Sequence, residues 1–288
     1  MKKVGIVDCY ISNFHANMYY DLFKKIAKDE QREEYVITHI YASLDVSPAN
    51  GETTDQWCER TGAKKCGTIK EVCDNVDVIM VLAPNNPELH EELVKLPFES
   101  GKLCYVDKTF APDFATAKRI KEYGNKFGAR YWSSSAVRFD PELDKYLGKE
   151  NPEVKSILVQ GGNVFKIYSI HLVEVMNTVM KGGADFVKCI HNDNNLMFEI
   201  TYKDGRKCFY HQTIGIPTPF AVYVDNGEAC EAHVCGEEFW YTFARALMDF
   251  FDTGVAKVNI NDTLECIAVR SALMKAMENV GEVVKVEE

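Results

Sequence analysis

Clustered Lys and Arg are missing from this 288-residue sequence, whose formal net charge is −10. That excludes nucleic acid as a partner, because phosphate neutralisation requires such clusters. Long apolar runs are missing as well. None approaches the roughly 20 residues that cross a bilayer, and Met1-Lys2-Lys3-Val4-Gly5 leads into a short strand pattern, so a cytoplasmic protein without membrane contact is expected. The ten cysteines lack the dense pairing of a disulfide scaffold. Cys9, Cys73, Cys104 and Cys189 fall in or beside apolar segments, where reduced, buried thiols are expected. Cys230, His233 and Cys235 lie close together, but a strand points Cys230 away from the other two, and no metal site is expected.

With 46% hydrophobic residues the chain can bury a large core, and its length predicts two domains, 1–133 and 134–288. In the first, strand and helix patterns alternate. Strands are predicted at Lys3–Cys9, Tyr35–Ala42, Val76–Leu82, Lys102–Val106 and Arg130–Trp132. Helices are predicted at Phe14–Lys28, Thr54–Arg60, Ile69–Asp74, Glu88–Lys95 and Asp113–Phe127. The nearly unbroken apolar run through Leu82 marks a parallel sheet buried on both faces. A Rossmann-like, doubly wound α/β domain follows, with its ligand crevice at the carboxyl ends of the strands, near Asp8, Ala83 to Asn86 and Lys108.

Beyond residue 134 the pattern changes. A strand at Val154–Gln160 and a helix at Ile167–Met180 precede five strands: Phe186–His191, Leu196–Tyr202, Lys207–Thr213, Phe220–Val224 and Ala229–Val234. Asp204-Gly205 is a hairpin turn between two of them. Helices at about Glu237–Phe251 and Asp262–Val280 complete an α+β domain with a large, mostly antiparallel open sheet. The uncovered face of that sheet predicts a homodimer or homotetramer.

Two residues suit proton transfer at a carbinol carbon. Lys108 follows an apolar strand, and His171 opens a helix in Tyr168-Ser169-Ile170-His171. Glu174, one helical turn beyond His171, is placed to orient the imidazole. His211, beside Gln212, is a further candidate for reaching a substrate from the sheet.

The chain resembles a small member of the Gfo/Idh/MocA oxidoreductases over nearly its whole length. The resemblance is carried by Asn75 to Asn85 followed by His90, by Asp107-Lys108-Thr109 where the family has Glu-Lys-Pro, by Arg138-Phe139-Asp140-Pro141, and by Gly161-Gly162 leading to His171 and Glu174. It implies hydride transfer between NAD or NADP and a sugar-like or cyclitol hydroxyl or carbonyl, with Lys108 and His171 catalytic. Ala83, Pro84, Asn85 and Asn86 would line the nicotinamide ribose, His90 would begin or cap the next helix, and Arg138 would belong to the substrate side.

Departures from that pattern concentrate at the first strand. Where the family's glycine fingerprint belongs stands Asp8-Cys9-Tyr10-Ile11-Ser12-Asn13, in which Tyr10 crowds and Asp8 repels a pyrophosphate. Ile167 replaces an aspartate four residues before His171. After the second strand, Asp45 can reach an adenosine ribose and Ser43 a 2'-phosphate. These departures keep a second expectation open, a cofactor-less pseudo-enzyme or ligand-binding subunit of the same fold.

Overall fold

Burial on both faces governs the first sheet. The computed structural model describes residues 1–148 and 152–288, which fall into two units: 1–134 with 244–260, and 135–243 with 261–288.

In the first unit, β1 (Lys2–Asp8), β2 (Tyr35–Ala42), β3 (Lys64–Lys65), β4 (Val78–Val81), β5 (Leu103–Val106) and β6 (Tyr131–Trp132) form one parallel sheet in the order β3-β2-β1-β4-β5-β6. All four residues of β4 are buried, as a strand covered on both faces requires. Helix α1 (Phe14–Asp29) starts at Asn13, whose Oδ1 accepts the Ala16 amide, and α2 (Thr54–Thr61) starts with a capping box between Thr53 and Gln56. Helix α3 (Ile69–Asn75) packs so closely on β1 that a Cβ at Gly5 would lie 2.5 Å from Val72 Cγ1. The order reverses between β1 and β4, which makes their carboxyl ends the switch point of the sheet.

The stretch expected as a single helix at Glu88–Lys95 is instead a 3₁₀ turn at Pro87–Leu89, α4 (His90–Leu93) and α5 (Lys95–Glu99). Pro87 sets the first turn, and α5 takes in Pro97, which lies beyond the expected end. Strand β3 is two exposed lysines and carries no apolar signal. Helix α6 (Phe114–Phe127) is capped by Asp113. Residues 244–260 join this unit through packing and charge: Phe251 stacks on Tyr35, Phe250 meets Trp132 edge-on, and Arg32 pairs with Asp249 at 2.9 Å.

The second unit holds β7 (Ser156–Gly162), β8 (Ala184–His191), β9 (Asn195–Tyr202), β10 (Lys207–Thr213), β11 (Ala221–Asp225), β12 (Cys230–Val234) and β13 (Val283–Lys285). Their order is β12-β11-β7-β10-β9-β8-β13, and only β7 with β10 is parallel. Helix α7 (Asp144–Leu147) precedes the sheet; α8 (Phe165–Met180) lies on β7 and β10. Strands β9 and β10 alternate buried and exposed positions, so one sheet face is covered and the other open. Register lines up Lys188, Glu199, Phe209, Leu158, Tyr223 and Ala232 on the open face. Helix α9 (Phe239–Thr253) carries the chain out of this unit and α10 (Ile260–Glu278) brings it back.

Nearly all of α8 is buried, including Glu174. Its charge is balanced by Arg138, whose Nε donates to Glu174 Oε2 at 2.8 Å, and Arg138 also reaches Asn177 and the Cys266 sulfur. Arg138 is therefore an interior strut of this unit. Arg138→Ala leaves the Glu174 carboxylate buried without this partner. It is expected to lower unfolding stability by about 3–5 kcal/mol in urea titration, and a loss below about 1 kcal/mol contradicts the strut.

Candidate functional site

At the switch point, the side chain of Asp8 ends β1 inside a closed set of donors. Oδ1 accepts the Cys9 amide at 2.7 Å and the Ala83 amide at 2.9 Å, and Oδ2 accepts Asn13 Nδ2 at 2.8 Å. Ala83 sits at a φ of +55°, a left-handed conformation that costs a non-glycine residue about 1–2 kcal/mol. The same Asn13 amide reaches Tyr10 O, while its Oδ1 caps α1. Asp8, Tyr10 and Asn13 occupy the three positions where a dinucleotide loop carries glycine, so side chains fill the space that a pyrophosphate uses elsewhere.

Residues 8–13 are all buried. Part of the cover is the segment after β2. The amides of Ser43 and Leu44 donate to Asp8 O and Cys9 O, Ser47 Oγ donates to Ser12 O, and Ser12 Oγ donates to Glu52 Oε2. Arg60 holds the same Glu52 carboxylate from α2. Of the residues expected near the adenosine ribose, Ser43 is exposed beside this clasp, and Asp45 pairs with Lys65 of β3 at 2.8 Å. Glu52 is the acidic group that the fold brings against the loop, and no motif in the sequence marks it. Its place just before the Thr53 N-cap carries no functional signal.

The second cluster lies at the end of β5. Asp107 is fully buried; Oδ1 accepts Tyr105 OH at 2.9 Å and the Lys108 amide at 2.8 Å, and Oδ2 lies 2.7 Å from His15 Nδ1. Burial pushes the Asp107 carboxyl up, but His15, Lys108 and His90 outweigh it and hold the group below its ordinary range. The Lys108 ammonium donates to Pro84 O at 2.9 Å, and burial pulls its pKa below the ordinary lysine value. The Lys108–Thr109 peptide is cis. Tyr10 and Ile11 are buried in the same loop, with the Tyr10 hydroxyl near the Asn85 side chain. The fold thus gathers Asp8, Tyr10, Ala83, Pro84, Asn85 and Lys108 at neighbouring strand ends. Asn86 closes a turn onto Ala83 O. His90 is fully buried, with its ring nitrogens against Leu82 O and Phe110 O, where it ties together the segments after β4 and β5.

In the second unit His171 lies in the first half of α8, its Nδ1 2.7 Å from Ser135 Oγ. Helical spacing predicts Glu174 as the group that orients the imidazole. The structure puts Ser135 on the imidazole and Arg138 on Glu174. Tyr168 and Phe220 pack their rings against the imidazole, with centroids 5.6 and 5.2 Å away. Both rings also line an open cleft of about 400 Å³, together with Gly162, Asn163, Pro217 and Thr218. Gly162 is required there, because a Cβ would stand 2.1 Å from Ile216 O. His211 points to the open face of the sheet, whereas α8 covers the opposite one, so His211 and His171 are not brought together. Its neighbour Gln212 faces inward and donates to Gly162 O and Asn163 O.

No family model matches the sequence, and no curated protein is similar to it. Solved structures match the fold over the full length. A TM-score of 0.81 at 13% identity relates the chain to GenD2 from gentamicin A biosynthesis in complex with NAD, covering 100% of this chain and 97% of that one. For scyllo-inositol dehydrogenase from Lactobacillus casei with NAD(H) and scyllo-inositol the TM-score is 0.80 at 12% identity, covering 99% of both chains. The WlbA dehydrogenase from Chromobacterium violaceum, in complex with NADH and UDP-GlcNAcA, gives 0.77 at 12%, covering 99% and 96%. Identity this low establishes the fold, which is the one the resemblance implied, and nothing finer.

Burial raises the Asp8 carboxyl to about 7; the bonds from Asn13, Ala83 and Cys9 oppose the rise and Asp107 adds to it. The folded carboxyl then keeps its proton between about pH 4 and 7, where the unfolded one has lost it. The folded state binds more protons in that window, so stability falls as pH rises through it, by on the order of 4 kcal/mol in full above pH 7. Asp8→Asn is expected to raise the melting temperature at pH 8 by several degrees and by progressively less toward pH 4. An equal gain at both ends contradicts the assignment.

Proposed function

We propose that the chain is an NAD(P)-dependent oxidoreductase that transfers a hydride to or from a hydroxyl or carbonyl carbon of a sugar-like or cyclitol substrate. The observation that carries this reading is Lys108, a buried ammonium held at the carboxyl end of a parallel strand, next to the switch point of a dinucleotide-type sheet. The full-length fold match to dehydrogenases holding NAD or NADH supports it.

The residues fit the cofactor at its nicotinamide end. Ala83 to Asn86 and Lys108 suit the nicotinamide ribose, offering backbone groups and a cation at the strand ends. The phosphate end does not fit in the same way, because Asp8, Tyr10 and Asn13 are buried where glycines would leave room and Asp8 takes the Cys9, Ala83 and Asn13 donors. When bound, the nicotinamide supplies the hydride acceptor or donor.

In this reading His171 takes or gives the proton of the reacting hydroxyl, and Lys108 donates a hydrogen bond to its oxygen as charge develops. Ser135 at Nδ1 fixes the ring, leaving Nε2 as the nitrogen assigned to the exchange. Tyr168 and Phe220 offer flat apolar walls to one face of a ring-shaped polyol, in a cleft of suitable size. The relatives solved with scyllo-inositol and UDP-GlcNAcA support a polyol or sugar substrate.

The open sheet face supports a homo-oligomer. Phe209 (42% exposed), Met197 (43%) and Ile190 (45%) present apolar surface on adjacent strands, which a second copy would cover. The chain's ten thiols suit a reducing cytoplasm, and no helix among the described residues is long and apolar enough to cross a membrane.

A screen of inositols, aldoses and sugar acids, read by nicotinamide absorbance, tests the reaction. Lys108→Ala and His171→Ala are each expected to lower kcat/KM at least about 100-fold on the substrate found, while calorimetric cofactor affinity changes little for His171→Ala. Full turnover in either variant removes the mechanism. For the assembly, Phe209→Asp is expected to turn an oligomer into a monomer in light scattering; a wild-type monomer refutes this interface.

A further inference from the structure

The inward face of β10 runs Cys208, Tyr210, Gln212, and the last of these is a fully buried amide. Its Nε2 donates to Gly162 O at 3.1 Å and to Asn163 O at 3.2 Å, and its Oε1 accepts the Tyr210 hydroxyl. Two carbonyls on one side require the NH2 group there, which leaves the oxygen for Tyr210. An apolar side chain at this position would avoid the cost of burying an amide. The bonds that offset that cost run to one neighbour on the strand and to two residues that line the cleft beside His171.

Those two residues set the shape of the cleft. The β7–β10 ladder ends at Gly162 opposite Thr213, so Asn163 lies one step beyond it, with a φ of +73°. Asn163 Oδ1 accepts the Val164 amide, and its own amide donates to Ile216 O at 2.9 Å. Gly162 sits so close under the same segment that a Cβ would stand 2.5 Å from Thr218 Oγ1. That segment supplies Pro217, Thr218, Pro219 and Phe220 to the cleft, and the Phe220 ring reaches the His171 imidazole. A continuous set of contacts therefore leads from the Gln212 amide through residues 162–163 to the cleft wall.

We propose that Gln212 is a positioning residue for substrate: it fixes the 162–163 turn and, through it, the wall at 217–220 that meets a polyol ring. This deepens the proposed function and rests on its substrate reading. None of the side chains that line the cleft is charged, and the buried guanidinium groups of this unit bond elsewhere, Arg138 to Glu174 and Arg270 to Lys166 O. The ligand chemistry that suits this wall is an uncharged ring polyol.

The test is saturation-transfer NMR on the full chain with the inositol isomers and the common aldohexoses, in the presence and absence of NADH. Wild type, Gln212→Leu and Tyr210→Phe are compared, and urea unfolding of each is measured alongside. Gln212→Leu is expected to weaken the best-bound polyol at least about tenfold. In turnover the loss appears in KM, with kcat within about threefold. Tyr210→Phe keeps both Nε2 bonds, so it is expected to lower stability while affinity stays within about threefold of wild type. Gln212→Met, which fills the same space, serves if Gln212→Leu does not fold. Wild-type affinity in the Gln212 variant overturns the inference and leaves the substrate reading standing, as does an affinity loss that tracks the stability loss in both variants. No transfer to any of these polyols from the wild type overturns the substrate reading and the inference together.

Discussion

A single buried carboxyl group ties the first unit together. Asp8 ends β1, and its bonds run to the loop after it, to the start of α1 through Asn13, and to the segment after β4 through Ala83. Without that acceptor the Ala83 amide and the Asn13 side chain lose the partner that fixes them, and the left-handed turn at Ala83 loses its counterpart. The arrangement carries a cost, because a carboxyl this deep resists ionisation. Residues of this kind are retained at positions where a site is built, and here the position is the switch point where the sheet divides.

The second unit solves a different problem. Its long buried helix carries both an imidazole and a carboxylate, and the fold separates their tasks. Arg138 neutralises Glu174 in the interior, and Ser135 contacts His171 beside the aromatic wall of the cleft. Two polar residues one turn apart therefore have separate partners. Covering α8 with one face of the sheet leaves the other face open, so a single topological choice both shelters His171 and leaves apolar side chains exposed.

Much of this was legible in the sequence because it depends on local periodicity. The apolar run at Val76–Leu82, the alternation through β9 and β10 and the Asp113 cap declare their elements through side-chain spacing alone. The site was legible where a residue ends a strand, as with Asp8 and Lys108. Partnerships formed across long separations were not. Ser135 lies in a run of three serines with no pattern to distinguish it, Glu52 is 40 residues from the Ser12 hydroxyl it accepts, and His15 was hidden in the aromatic face of α1. The face that His211 presents was not legible from its neighbourhood: one step along a strand reverses the face, and Gln212 is the residue that turns inward. The return of 244–260 to the first unit depends on Phe250, Phe251, Asp249 and Asp252 meeting partners more than 100 residues away, which no local window contains.

The central claim is that the Asp8 carboxyl is enclosed so deeply at the head of α1 that it stays largely protonated in the folded protein just below neutral pH. The most direct measurement is a pH titration of the Asp8 side-chain carbon by carbon-13 NMR in the ligand-free protein, assigned by comparison with Asp8→Asn. The account predicts a midpoint of about 7. A midpoint near 3.8, the ordinary value for an aspartate, would contradict it, since the carboxylate would then be stably ionised in its cradle.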